Sequence, residues 1–310
     1  MSSGRALEEA RALAEERAWA RAARDYARAD ALRERIAELG FRVIDTLQGP
    51  VLEPLEPSGR ARPVEPTPAR LRARDVPSAL DEPPSFDASI HLVVPGWPED
   101  AVRALTAFRR HHPDRGLQAV VADLTETDPA VYGEGVDVLR LEPETGWAAA
   151  MNASLRRSRG RIALVVDGSI EPTGDVLGPL EAALADPSVG VCGPFGVVTR
   201  DLHTFEDSPG PEVDATLAYL MALRRETLRA IRGLDEHFRF YRTADIELSF
   251  RIRDAGLRAL VVPVPVRRHE HRLWAHTEPA ERERLSKRNF YRFLERFRGR
   301  FDLLVSPPEP

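Results

Sequence analysis

Residues Gly160–Pro172 read "GRIALVVDGSIEP". Ile162 to Val166 is an unbroken apolar run that ends abruptly on Asp167, followed by Gly168, Ser169 and Glu171. A short apolar run closed by turn residues reads as a strand buried on both faces. A carboxylate carried to the C-terminal tip of such a strand faces the crevice where open α/β sheets bind ligands. Here the acid stands almost alone, because the next position able to project the same way is Ser169.

The same alternation recurs on both sides. "SIHLVVPG" precedes a helix over 99–112, then come "LQAVVAD", "VDVLRLE", a helix over 147–157 and "RIALVVDG". A helix over 175–185 and "VGVCGPFGVV" follow. Short apolar runs separated by helical segments predict an α/β fold, a mostly parallel sheet with helices on both faces. Pro95, Asp123 and Asp167 each stand just past a strand end, so three tips are expected to share one rim.

The totals fit that frame. The chain has 310 residues, 43% hydrophobic and 30% charged, which describes a folded globular protein. A formal charge of −5 gives no global attraction to nucleic acid or to anionic lipid, although 267–300 carries an excess of arginine. Cys192 is the only cysteine, which excludes an internal disulfide framework and fits a reducing compartment. The first twenty residues are charged throughout, with no apolar core of a secretory signal, and no stretch is long and apolar enough to span a membrane. A cytoplasmic protein is expected.

The ends read differently from the middle. Residues 5–39 are rich in Ala, Glu and Arg without Gly or Pro until Gly40, and predict helix; "FRVIDT" after it predicts a short strand. Residues 49–87 are dense in proline and predict an extended linker. The expected division is a helical appendage at 1–48, a linker at 49–87, a folded domain at 88–303 and a tail at 304–310. Near the C-terminus, Leu285, Phe290, Phe293, Leu294 and Phe297 give one apolar helix face, suited to packing on the domain or to peripheral contact with a membrane.

Two resemblances follow from these residues. Arg24-Asp25-Tyr26, Ala29-Asp30, Arg33, Gly40, Asp45-Thr46 and Gly49 place residues 21–50 in the pattern of the C-terminal tail of bacterial cysteinyl-tRNA synthetases. The resemblance implies a shared module, not synthetase activity. Acids balance arginines within it, so tRNA contact has little electrostatic footing, and packing on the domain or on a second copy is the plainer role.

From Ser89 to about Arg300 the order of motifs resembles the inverting family 2 glycosyltransferases, which have a GT-A fold. "LVVP" and "VVAD" are followed by "GWAAAMNASLRRSRGRIALVVDGSIEP" and then by "LMALRRETLRAIRGLDEHFRFYRTADIELSFRIRDAGLRALVVP". The resemblance implies a nucleotide-sugar donor and a hydroxyl acceptor. Pro95, Trp97, Asp123, Gly146, Asn152, Asp167 and Ser169 then fall on the nucleotide-sugar side, and Asp235 and Glu247 on the acceptor side. Asp245 falls on the catalytic base. The family's Asp-x-Asp is reduced here to Asp167-Gly168-Ser169, Ala244 replaces an acid, and "PGWPED" departs from the usual first loop. A catalytically decayed, glycosyltransferase-like binding or scaffold protein is the alternative.

A leaving diphosphate needs a cation or arginines. The resemblance implies a divalent cation, Mn or Mg, held by Asp167 with His269 or His271. Arg267, Arg268 and Arg272 surround those histidines and suit direct neutralisation of the phosphates instead.

Overall fold

The computed structural model describes residues 2–22, 26–46, 49–54 and 70–307. Two compact units divide at residues 69 and 70. In the first, α1 (Ser2–Ala22) and α2 (Tyr26–Glu38) precede β1 (Phe41–Thr46) and β2 (Gly49–Pro54). Ala20, Ala29 and Leu32 close the contact between the helices, with Leu13 beside them. Gly40, at φ +85°, ends α2 in the left-handed conformation that glycine adopts without strain. β1 and β2 pair antiparallel from Phe41↔Pro54 to Thr46↔Gly49. The expected helix over 5–39 is therefore two helices. The expectations for Arg24, Asp25, the linker at 55–69 and the last residues, 308–310, lie outside the described residues.

The linker and domain boundaries need correction. Residues 49–54 form a strand, because a two-stranded ribbon tolerates proline on its free edges. The second unit begins at Arg70, not near Ala88. Ala73, Val76 and Ala79 are buried, Leu71 bridges to Leu141, and Arg70 donates to the Leu141 carbonyl at 2.6 Å. The proline spacing hides this segment, since it docks by isolated anchors without any helical or strand period.

The second unit runs β3 (Phe86–Val94), α3 (Pro98–His111), β4 (Leu117–Asp123), β5 (Val136–Arg140), α4 (Trp147–Arg156), β6 (Gly160–Val166) and β7 (Ile170–Pro172). It continues with α5 (Leu177–Leu184), β8 (Val189–Gly193), β9 (Gly196–Thr199), β10 (Phe205–Ser208), β11 (Glu212–Val213), β12 (Ala215–Thr216) and β13 (Leu220–Arg224). Last come α6 (Arg225–Ile231), α7 (Ala244–Asp254), β14 (Arg258–Val261), β15 (Val266–Arg268), α8 (Arg272–His276) and α9 (Pro279–Phe297).

The main sheet has the order β11-β14-β8-β13-β6-β3-β4-β5. β6, β3, β4 and β5 are parallel, while β13 runs antiparallel between β6 and β8. Period-two alternation along β6 serves both faces. Ile162, Leu164 and Val166 pack with α3 and α5, and Ala163 and Val165 with α4, α6 and α7. The run "VGVCGPFGVV" is two strands, because the chain turns at Gly193-Pro194 and β9 leaves for a second, three-stranded sheet. Phe293, Leu294 and Phe297 of α9 are buried with Phe250, Leu202, Leu303 and Leu304. Among the described residues no helix is long and apolar enough to cross a membrane.

Candidate functional site

One dipeptide sets the geometry. Ala218 and Tyr219 stand just before β13, and each reaches a different acid. The Asp167 N–H donates to the Tyr219 carbonyl at 3.0 Å, and the Ala218 N–H donates to Asp245 Oδ2 at 3.0 Å. Two acids far apart in sequence are thereby fixed at one place.

Asp245 lies in the first turn of α7, entered through Thr243 at φ +70°. Its Oδ1 accepts the Ile246 N–H at 2.9 Å. Burial raises its pKa above the ordinary carboxylate value, against the opposing pull of the Ala218 and Ile246 N–H groups. A carboxylate held this way is a stronger base than an exposed one.

Aromatic rings surround the pair. His271 stacks on Tyr241 at 4.3 Å between centroids and meets Tyr219 edge-on at 5.8 Å. The segment carrying His271 is brought over Asp167 by the β7–β15 ribbon, whose pairing continues in a bond from the His269 N–H to the Ser169 carbonyl at 2.7 Å. Trp147, Asp167 and His271 are shared by two adjoining parts of one cleft. The first, about 440 Å³ counting its open mouth, adds Pro95, Trp97, Asp100, Ser169 and Arg272. The second, about 260 Å³, adds Ala218, Tyr219, Tyr241 and Asp245.

Of the residues singled out from sequence, Pro95, Trp97, Asp167, Ser169, His271 and Asp245 therefore line this cleft. The others are placed elsewhere. Asp123 is fully buried, with Oδ1 taken by the Thr125 N–H at 2.7 Å. Beside it the Tyr132 hydroxyl is pushed well above its ordinary pKa, by burial first and by the Asp123 charge second. The tip of β4 thus turns its acid inward. Gly146 allows the close approach of Arg239, whose Cα would lie 3.0 Å from a Cβ there. Asn152 is buried and clamps Leu234, accepting its N–H at 2.8 Å and donating to its carbonyl at 2.9 Å.

Asp235 and Glu247 belong to an arginine network. Burial would raise Asp235, but the Arg292 hydrogen bond at 2.7 Å and the His237 N–H outweigh it and bring the carboxyl down to about 2. Burial raises Glu247 despite Arg251 at 2.8 Å and Arg296 at 3.1 Å.

The donor set does not fit a divalent cation. Asp167 Oδ1 accepts both the Ser169 N–H, at 2.9 Å, and the Ser169 hydroxyl. His269 Nε2 is 2.6 Å from Glu171 Oε2, which lowers the glutamate pKa. The Trp274 N–H is shared between the His271 carbonyl, at 3.0 Å, and His271 Nδ1, at 3.2 Å, while His271 Nε2 lies 3.3 Å from Asp167 Oδ2; together these contacts favour the neutral tautomer with its proton on Nε2. A ligating histidine has the reverse arrangement, a bare nitrogen toward the ion and an N–H toward an acceptor. Among the described residues no group of three or more His, Cys, Asp or Glu could hold a metal ion. The expected ligand set of Asp167, His269 and His271 is thus corrected.

Trp147, Tyr219, Tyr241 and Asp100 escaped sequence reading. Only Trp147 carried a signal, an aromatic opening a helix directly after a glycine. The tyrosines sit in loops whose course depends on distant pairing.

Residues 113–250 match the family model described as glycosyl transferase family 2. The fold is that of the GT-A glycosyltransferases. A crystal structure of GalNAc-T7 with UDP, GalNAc and Mn2+ matches at a TM-score of 0.55 and 15% identity. The match covers 68% of this chain and 48% of that one, so it spans about half of that protein. S. aureus TarS 1–349 matches at a TM-score of 0.44 and 16% identity, over 71% of this chain and 76% of that one. The catalytic domain of Drosophila beta1,4galactosyltransferase 7 matches at 0.42 and 11%, over 64% and 79%. Among curated proteins none matches.

Proposed function

We propose that this protein is an inverting glycosyltransferase of the cytoplasm, which moves a sugar from a nucleoside diphosphate onto a hydroxyl acceptor. The observation that carries the reading is the meeting of Asp167 and Asp245 across one dipeptide, with the Asp245 pKa raised by burial. The family match over 113–250 supports the reaction class.

Asp245 takes the proton of the acceptor hydroxyl as its oxygen attacks the anomeric carbon. The bond from that carbon to the phosphate oxygen breaks on the opposite face, and the electron pair leaves with the diphosphate. Direct, in-line attack inverts the anomeric centre. Trp97, at the mouth of the cleft and 5.1 Å from the His276 ring, offers a face for the nucleotide base. We route no step through a divalent cation.

The test is release of free nucleoside diphosphate from a panel of sugar nucleotides, in wild type and Asp245→Asn. General-base removal lowers turnover by about 10²–10⁴-fold. Turnover that survives in the variant removes Asp245 from this role. A second reading, binding without turnover, is favoured by one observation: Asp245 is buried, with Trp147, Tyr219 and Tyr241 closing the cleft around it. It predicts diphosphate binding by calorimetry with no release from any sugar nucleotide.

A further inference from the structure

Every acid at the first part of the cleft already has a partner in the protein. Asp100 Oδ1 is 2.7 Å from Arg103 Nη1, and its Oδ2 is 3.4 Å from Arg272 Nε. Glu99 also pairs with Arg272. Asp167 is met by Ser169 and by the fixed N–H of His271. A site built for a free cation would instead leave carboxylate oxygens facing one another without partners, awaiting the ion.

One nearby cation is unmatched, and another is held in part by an exposed acid. Arg268 has no carboxylate partner among the described residues, and its guanidinium lies 5.0 Å from the ring centroid of Tyr219, a wall of the cleft. Arg272 lines the cleft, but its Glu99 partner is 59% exposed. Solvent-exposed ion pairs of this kind are weak and exchange readily for a better anion. Guanidinium also matches phosphate oxygens two at a time.

We infer that the site holds its diphosphate without a divalent cation, with Arg268, Arg272 and the Nε2–H of His271 as the phosphate donors. This rests on the nucleotide-sugar reading above. Arg272 exchanges Glu99 for a phosphate oxygen, and the Trp274 N–H acts as a positioning group, since with Asp167 it decides which nitrogen of His271 carries the proton.

The test is calorimetry of the full chain with UDP, GDP and dTDP, in EDTA and in manganese chloride. UDP comes first because GalNAc-T7, which shares the fold, was crystallised with it. The expected result is binding of at least one diphosphate in EDTA, with manganese changing its Kd by less than about threefold, under 1 kcal/mol. Arg272→Ala and Arg268→Ala should each weaken that binding by about tenfold or more, the loss of one charge-assisted contact. Binding that appears only with manganese, or tightens more than tenfold with it, overturns the inference and leaves the nucleotide-sugar reading standing. Absence of binding for every diphosphate in both buffers overturns both. An independent readout is the paramagnetic resonance of manganese added to the protein alone. Wild type should leave the free-ion signal intact, whereas Ser169→Asp, which restores a second carboxylate, should reduce it. Loss of that signal with wild type, restored by Asp167→Asn, would also sink the inference.

Discussion

Replacing Asn152 by alanine separates a ligand contact from a structural clamp. From sequence the residue stands among those expected on the nucleotide side, yet its amide holds both backbone groups of Leu234, at 2.8 and 2.9 Å, and reaches Glu236 Oε1 at 3.1 Å. Truncation leaves the Leu234 N–H and carbonyl unpaired. Each buried orphan costs about 1–3 kcal/mol. Asn152 borders an open groove with Arg156, Glu236 and Gly233, so water can reach the gap and hold the total near the low end, about 2–3 kcal/mol. For a unit of this size that lowers Tm by roughly 4–12 °C. Urea unfolding measures the loss, and calorimetry with UDP at low temperature, where the variant stays folded, measures the site. The expected outcome is lost stability with an unchanged Kd. A Kd weakened tenfold at full stability would refute the placement.

Two more predictions follow from named contacts. Asp235, held at about 2, contributes stability above its unfolded pKa near 3.8, and that contribution is lost as the pH falls through about 2. A shift of this size is worth at most about 2–3 kcal/mol, and screening of the half-open pair with Arg292 leaves about 1 kcal/mol; thus Asp235→Asn should unfold more easily at pH 7 and match wild type near pH 2. An alanine Cβ at Gly193 would meet the Leu220 carbonyl oxygen at 2.2 Å, so Gly193→Ala should cost at least about 2 kcal/mol by urea unfolding and lower turnover too, because Leu220 directly follows the dipeptide that fixes both acids.

What the sequence revealed follows from locality. Apolar runs with period two or with none located β3, β4, β6 and the helices between them, because burial on both faces is written into consecutive residues. Asp167 and Asp245 were legible for the same reason, each fixed by its own strand tip or helix start. Asp123 was misplaced because a strand-end acid can turn toward the ligand or beneath its own loop, and the choice rests with Thr125 and Tyr132. The histidines were misread for a subtler cause. The backbone N–H of Trp274 and the Asp167 carboxylate together decide which nitrogen of His271 carries a proton, and no residue pattern encodes that.

The least legible element matters most. β13 runs against its neighbours, pairing Leu220 with Val166 and Leu223 with Ala163 on one side and with Val191 on the other. In a wholly parallel sheet, every chain segment entering a strand lies at the edge opposite the strand tips. An antiparallel strand inserted beside β6 reverses this, so the residues just before it arrive at the rim where β6 ends. That is why Ala218 and Tyr219 reach both Asp245 and Asp167. The arrangement makes a testable demand on the whole reading: the acids stay together only while β13 stays paired. In hydrogen exchange, the amide protons of Asp167 and Ala218 should therefore be protected together with those of Met221 and Leu223. Exchange of the Asp167 and Ala218 amides at loop rates, with β13 protected, would show that the two acids are not held as one site.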